Sequence, residues 1–226
     1  MTKTVLVTGG ASGLGHAVVE RALERGDRPL VLDLKPPTLD VPYVSVDLAD
    51  ARAAEWAVRD LAEEAGGLDA AVTAAGIDTP GRLEDISGPD WDRIIHVNLI
   101  GTAAVARASL PYLERRRGTL VTIASTLGLR VLSDASAYCA AKFGVVGFTR
   151  ALAAELGDRI GVTLLVPGGM ATSFFDGRTE QYRPGPEAQL MNPRDVAGAV
   201  LFAIDQPPTA VVRELVICPP REGSYP

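Results

Sequence analysis

Lys3-Thr4-Val5-Leu6-Val7-Thr8-Gly9-Gly10-Ala11-Ser12-Gly13-Leu14-Gly15 carries the reading of the whole chain. Residues 3–8 are mostly apolar or β-branched and read as a strand covered on both faces. Glycines follow at once, and residues 14–25 then show helical spacing, stopped by Gly26. The glycines permit a tight turn, let backbone amides approach a pyrophosphate, and let the helix pack close to the strand. Loops collect glycine for many reasons, so the position between a first strand and a first helix is what gives this one its weight.

The alternation continues outward from there. Residues 29–33, 43–46, 69–74, 119–124, 162–166 and 211–217 read as strands. Residues 51–65, 91–108, 135–156 and 193–204 read as helices, the second with room to continue past Pro111. The first, fourth, fifth and sixth strands are apolar nearly throughout, as strands buried on both faces are. The pattern predicts an α/β fold: a Rossmann-type doubly wound parallel sheet of about seven strands with helices on both faces. Residues 1–226 read as a single dinucleotide-binding domain, without internal repeat or linker. Residues 173–192, rich in Gly, Pro and charge, form a loop long enough to suggest a substrate lid, with a functionless insertion as the plain alternative. Residues 218–226 read as a Pro-rich tail.

Composition narrows the function classes. At 226 residues and 47% hydrophobic, the chain can bury a sizeable core, and disorder is excluded. A net charge of −6 argues against a nucleic-acid surface. The basic cluster Arg115-Arg116-Arg117 beside Gly118 reads as a helix end. Cys139 and Cys218 have no metal-like spacing, and no metal site is expected. Met1-Thr2-Lys3 leads into a strand without signal-peptide pattern, and no apolar run reads as transmembrane, so a cytoplasmic protein is expected.

Asp33 ends the second strand about 20 residues past the glycines, where a carboxylate can bind adenosine ribose hydroxyls and repel a 2′-phosphate. A solvated turn aspartate is the plain alternative. NAD(H) is therefore favoured, while Lys35 beside it keeps NADP(H) open. Tyr138 and Lys142 stand at i and i+4 on a helix, so both project from one face. A nearby ammonium favours the phenolate and would bring a phenol that titrates near pH 10 toward neutrality. Chance yields Tyr-x-x-x-Lys often, but Ser125, just past the fifth strand, adds a hydroxyl that could hold a substrate oxygen.

At these residues the chain resembles the short-chain dehydrogenases/reductases, over nearly its whole length. That family's glycine motif matches Thr8, Gly9, Gly13 and Gly15, and its adenine-contacting pair matches Asp47-Leu48. Its catalytic tetrad matches Asn98, Ser125, Tyr138 and Lys142. Its Pro-Gly segment over the nicotinamide matches Pro167-Gly168-Gly169-Met170-Ala171-Thr172. The resemblance implies cofactor contacts at Gly9, Ser12, Gly13, Leu14, Gly15, Asp33, Asp47 and Leu48. It implies others at Ala74, Ala75, Gly76, Tyr138, Lys142, Pro167, Gly168, Met170 and Thr172. It implies that Tyr138 exchanges the proton, Ser125 orients the oxygen, Lys142 binds the nicotinamide ribose, and Asn98 kinks its helix and fixes a relay water. The implied activity is NAD(H)-dependent interconversion of a secondary alcohol and a ketone, in a homotetramer or homodimer. Helices 91–108 and 135–156 are the implied interface.

Two departures stand out. Thr73-Ala74-Ala75-Gly76 replaces the family's Asn-x-Ala-Gly, which predicts a weaker tie between strands. The tail lacks the family's glycine-rich ending. Elsewhere plain readings are preferred: His16 as a partly exposed first-turn residue, His96 and Trp91 as packing, Cys139 as a small buried filler. Phe174, Phe175, Tyr182 and Met191 are wall candidates opposite Leu127, Leu129, Val131 and Leu132, so a largely apolar substrate is expected. Arg130, Arg178 and Arg183 read as solvated loop arginines. The alternative function is a catalytically silent dinucleotide-binding regulator or scaffold, since fold alone never proves activity. Neither nucleic acid nor membrane is expected as a partner.

Overall fold

The computed structural model describes residues 2–225; Met1 and Pro226, the outer ends of the expected domain and tail, lie outside the described residues. Two strands, β1 (Thr4–Thr8) and β4 (Ala70–Thr73), are buried at every position, which accounts for their unbroken apolar runs. With β2 (Arg28–Asp33), β3 (Tyr43–Ser45), β5 (Thr119–Ile123), β6 (Gly161–Pro167) and β7 (Glu214–Ile217) they form one seven-stranded sheet. Its order is β3-β2-β1-β4-β5-β6-β7, and every pairing is parallel.

Side chains alternate between the two faces, as the period of two requires. Leu6, Leu30, Leu32 and Leu120 point into a layer made by α2 (Ala51–Glu64), α4 (Thr102–Arg116) and α5 (Ser136–Leu156). Val5, Val7, Val31 and Val72 point into the opposite layer, made by α1 (Gly13–Glu24) and α6 (Pro193–Ile204). Because β1 and β4 are neighbours, the chain leaves their C-terminal ends toward opposite edges of the sheet. A crevice opens there, at the point where strand order reverses.

Helix starts follow their caps. Asp50 accepts from the amides of Arg52 and Ala53, and Asn192 accepts from that of Arg194 ahead of Pro193. The expected helix 91–108 is longer at both ends than its sequence pattern. Ser87 caps α3 (Gly88–Ile95), with Pro89 in the first turn, where a missing amide costs nothing. A π-helical turn, His96–Gly101, joins α3 to α4, which runs through Pro111 to Arg116. Arg117 takes the left-handed cap at φ 49°, and Arg116 bonds Asp69 and the Gly66 carbonyl, so the basic cluster does end a helix.

Contrary to the sequence expectation, Gly88–Arg116 is long and apolar enough to cross a bilayer by length and composition alone. More than half of its most apolar window is buried within the fold, where Ala104, Val105, Ala108 and Leu113 pack into the first layer.

Candidate active site

The crevice is a cleft of about 1100 Å³ over the C-terminal ends of the strands. Every catalytic and cofactor-contact residue expected from sequence borders it except Gly15 and Asn98. Both exceptions lie just behind its wall. A Cβ at Gly15 would stand 2.2 Å from the Gly9 carbonyl oxygen, so only glycine lets α1 start this close to the turn. Gly9 itself has φ +71° and backs onto Ala75, 2.8 Å from where a Cβ would be. Ser12 precedes α1 without capping it through its hydroxyl, which leaves the helix N-terminus facing the cleft.

Asp33 closes one end of the cleft. Its two carboxylate oxygens accept from the amides of Ala11 and Lys35, each at 3.0 Å, which pins the side chain beside the glycine turn. Asp47 accepts from Ala49 and from Arg93, both at 2.9 Å. Burial alone would raise its carboxyl, but the Ala49 amide and the Arg93 guanidinium outweigh it and hold it below the usual range. Arg93 lines the same end of the cleft and carried no motif signal in the sequence.

Asn98 sits in the π-turn and is fully buried. Its side chain accepts from the Ile77 amide at 3.0 Å and donates to the Ile77 and Ile94 carbonyls at 2.8 and 2.9 Å. It thus stitches the chain leaving β4 to the widened helix turn. Neighbouring Thr73 is buried with its hydroxyl unpartnered, while Thr8 Oγ1 takes the Ala75 amide at 3.1 Å. The tie between β1 and the end of β4 therefore comes from Thr8.

Ser125, Tyr138 and Lys142 meet at the other end. Ser125 Oγ accepts from Leu127 N at 3.1 Å, which leaves its own proton free to donate. Tyr138 is 9% exposed, and Lys142 Nζ lies 5.6 Å from its ring centroid. That ammonium donates to the Ile123 carbonyl at 3.0 Å. Burial brings Lys142 down to about 8. Burial also pushes the Tyr138 phenol above its ordinary value, against a pull from Ser125. The expected lowering by Lys142 is absent: desolvation of the buried phenol is the largest effect, and Lys142 is not among the groups that shift it.

Residues 173–192 cover this end, so the expectation of solvated arginines fails for Arg178. Its guanidinium pairs with Asp78 at 2.9 Å, with side chains 11% and 6% exposed. It lies 4.7 and 4.9 Å from the ring centroids of Phe174 and Phe175, and Phe174 packs 5.6 Å from Tyr138. Tyr182 donates to Asp134 at 3.1 Å. Phe174, Phe175, Tyr182, Leu127 and Leu132 line the cleft as expected. Met191 instead bridges to Met170, Leu129 packs in a small cluster under β6, and Val131 is 70% exposed. The wall is thus less apolar than its sequence suggests.

The tail folds in as well. Glu222 accepts from the Gly169 amide at 2.9 Å and from Ser224, whose hydroxyl lies 2.6 Å from Thr126 Oγ1. His16 is partly exposed and Cys139 buried. No group of three or more His, Cys, Asp or Glu among the described residues is placed to hold a metal ion.

A family model described as short chain dehydrogenase matches residues 3–183, most of the chain. The chain belongs to the short-chain dehydrogenase family. This short-chain dehydrogenase is 31% identical over 229 residues to an uncharacterized oxidoreductase of Staphylococcus aureus, covering 96% of this chain and 97% of that one. A 4-hydroxyisoleucine dehydrogenase complexed with NADH superposes with a TM-score of 0.84 at 25% identity, covering 96% and 97%. An alcohol dehydrogenase of the archaeon Thermococcus sibiricus, complexed with 5-hydroxy-NADP, superposes at 0.85 with 23% identity and 96% coverage of each chain, which speaks to fold alone. The short-chain dehydrogenase is accordingly an oxidoreductase with a Rossmann fold.

Proposed function

We propose that the protein interconverts a secondary alcohol and a ketone with NAD(H), and that Tyr138 exchanges the proton with the substrate oxygen. The observation that carries this is the convergence of Ser125, Tyr138 and Lys142 at one end of a cleft whose other end holds the glycine turn and Asp33. A dinucleotide fits that cleft. The close approach at Gly9 and Gly15 and the open N-terminus of α1 suit a pyrophosphate, and the pinned Asp33 carboxylate suits ribose hydroxyls. When bound, the nicotinamide supplies hydride acceptance or donation.

The chain's own part is positioning and proton transfer. Gly9, Ser12, Gly13, Leu14 and Gly15 would shape the pyrophosphate site, and Asp33, Asp47, Leu48, Ala74, Ala75 and Gly76 the adenosine side. Pro167, Gly168, Met170 and Thr172 would line the nicotinamide side, where Glu222 props the segment from behind. Ser125 donates to the substrate oxygen, and Lys142 holds the nicotinamide ribose with its ammonium. Asn98 acts from behind the wall by fixing Ile77. Its side-chain bonds go to backbone, so a relay through a water would have to use Lys142 and carbonyls near it. The lid at 173–192 shuts water out and shapes the substrate end.

Cytoplasmic location and a homo-oligomer joined through α4 and α5 belong to the same reading. Exposed Ile100 and Phe143, on the π-turn before α4 and on α5, favour the oligomer, and a monomer mass in light scattering would remove it. The test of function is consumption of NADH by the purified protein over a panel of small ketones. Turnover is expected; NADH binding with none across the panel would favour the silent-scaffold reading instead.

A further inference from the structure

Burying an ion pair costs desolvation of both charges, and the cost is met only when their hydrogen-bonding capacity is used. The Asp78–Arg178 pair does not use all of its own. Asp78 Oδ1 and Arg178 Nε are both buried without a hydrogen-bond partner, although the groups join through Asp78 Oδ2 and Arg178 Nη2 at 2.9 Å. Both residues line the cleft beside Phe174, which packs on Tyr138. Nearly all buried polar groups in folded chains are satisfied, so an orphaned acceptor and an orphaned donor on one ion pair that lines the cleft mark a place for a ligand.

We propose that Asp78 and Arg178 form a subsite for a second hydroxyl group of the substrate, so that the preferred substrates are diols or hydroxyketones. The inference rests on the dehydrogenase reading above and names the substrate class for that site. A hydroxyl is the group that fits, because it donates its proton to Asp78 Oδ1 while its lone pair accepts from Arg178 Nε–H. A carboxylate would meet Arg178 but face Asp78, and an ammonium would meet Asp78 but face Arg178. The pair is already neutral, so a neutral partner completes its bonds without adding a buried charge. Besides burial and the Ser125 bond, the Asp78 charge pushes the Tyr138 phenol up and the Arg178 charge pulls it down, which places the subsite within electrostatic reach of the reacting oxygen. The guanidinium packs against both Phe174 and Phe175, so the subsite is rigid only while 173–192 is seated.

The test compares 2-hexanol with 2,3-, 2,4- and 2,5-hexanediol as substrates with NAD+. A site built to bond a hydroxyl rejects an analogue lacking it far more strongly than an apolar pocket rejects an extra group. At least one diol is expected to exceed 2-hexanol in kcat/KM by about tenfold or more. Asp78→Asn should shrink that ratio, and the paired Asp78→Leu/Arg178→Met should bring it near 1. Equal kcat/KM for all four alcohols in the natural chain overturns the subsite. So does a variant that slows every alcohol by one common factor, the signature of a lid latch alone. If no alcohol is oxidised, the dehydrogenase reading is judged separately by the ketone panel above. The subsite is then read from Tm shifts with each compound, with and without NADH. A diol-specific shift lost in Asp78→Asn supports it, and no diol-specific shift overturns it.

Discussion

Lys142 is enclosed, and burial brings its ammonium down to about 8, so its charge is lost within a pH range that enzymes tolerate. The lysine is charged below that value and neutral above it. If the ammonium holds the nicotinamide ribose, the Kd for NADH should rise once the pH passes about 8, approaching tenfold per unit. In Lys142→Arg the charge persists, and the rise should vanish from the accessible range. A Kd that stays flat from neutral to alkaline pH in the natural chain would remove this role. Asp33 belongs to the same scale. Its carboxylate is fixed by the Ala11 and Lys35 amides, so a 2′-phosphate would meet a charge that cannot swing away. Like charges in contact cost several kcal/mol, so on the NAD(H) reading proposed above Asp33→Ala should raise NADPH affinity relative to NADH by about tenfold or more. An unchanged ratio of the two Kd values would assign the selectivity to another residue. The sequence displayed Asp33 through its spacing from the glycines and Lys142 through its spacing from Tyr138 together with the family resemblance, but it could not display the burial of Arg178. That arginine meets Asp78 across a hundred positions of chain, and only the folding of 173–192 onto the cleft turns a loop arginine into a buried one.

The π-turn His96–Gly101 backs the wall of the site. A widened turn frees backbone groups, and here Asn98 uses its side chain to hold Ile94 and the strand exit at Ile77 together. Asn98→Ala would leave an amide and carbonyls buried without partners, a loss of about 2–4 kcal/mol. In a chain of this size that lowers Tm by roughly 5–15 °C. Thermal unfolding of the variant checks it, and an unchanged Tm would mean that Ile77 is held by other contacts. Strands such as β1 and β4 were legible because their two buried faces leave continuous apolar runs. Helix starts near 51 and 193 were legible from patterning, and the structure shows Asp50 and Asn192 capping them. The start of α3 was read late, at Trp91, because Gly88-Pro89 has the look of a turn, although Ser87 was already a candidate cap. The π-turn leaves no period to read, since one wide turn shifts the helical register only once.

At the scale of the molecule, the rigid sheet presents two diverging loop sets, and two mobile-looking sequence features settle onto them. Residues 173–192 cover the Tyr138 end of the cleft through Arg178 and Tyr182, and the tail braces Gly169 and Thr126 through Glu222 and Ser224. The parallel sheet with helices on both faces follows from a strand–helix alternation that is read locally along the chain. The substrate end follows from contacts between distant segments that individually read as loop and tail, which is why its polar character was hidden. The account as a whole stands on proton exchange at Tyr138 within an intact cofactor cleft. General acid–base groups contribute about 10²- to 10⁴-fold to rate, and removing a phenolic hydroxyl leaves the distant glycine turn and Asp33 untouched. The direct measurement is NADH-dependent ketone reduction by the natural chain and by Tyr138→Phe, with NADH affinity titrated on the same samples. The account predicts that kcat falls by about 10²-fold or more while the Kd for NADH changes less than about threefold. Near-natural turnover in Tyr138→Phe would contradict it.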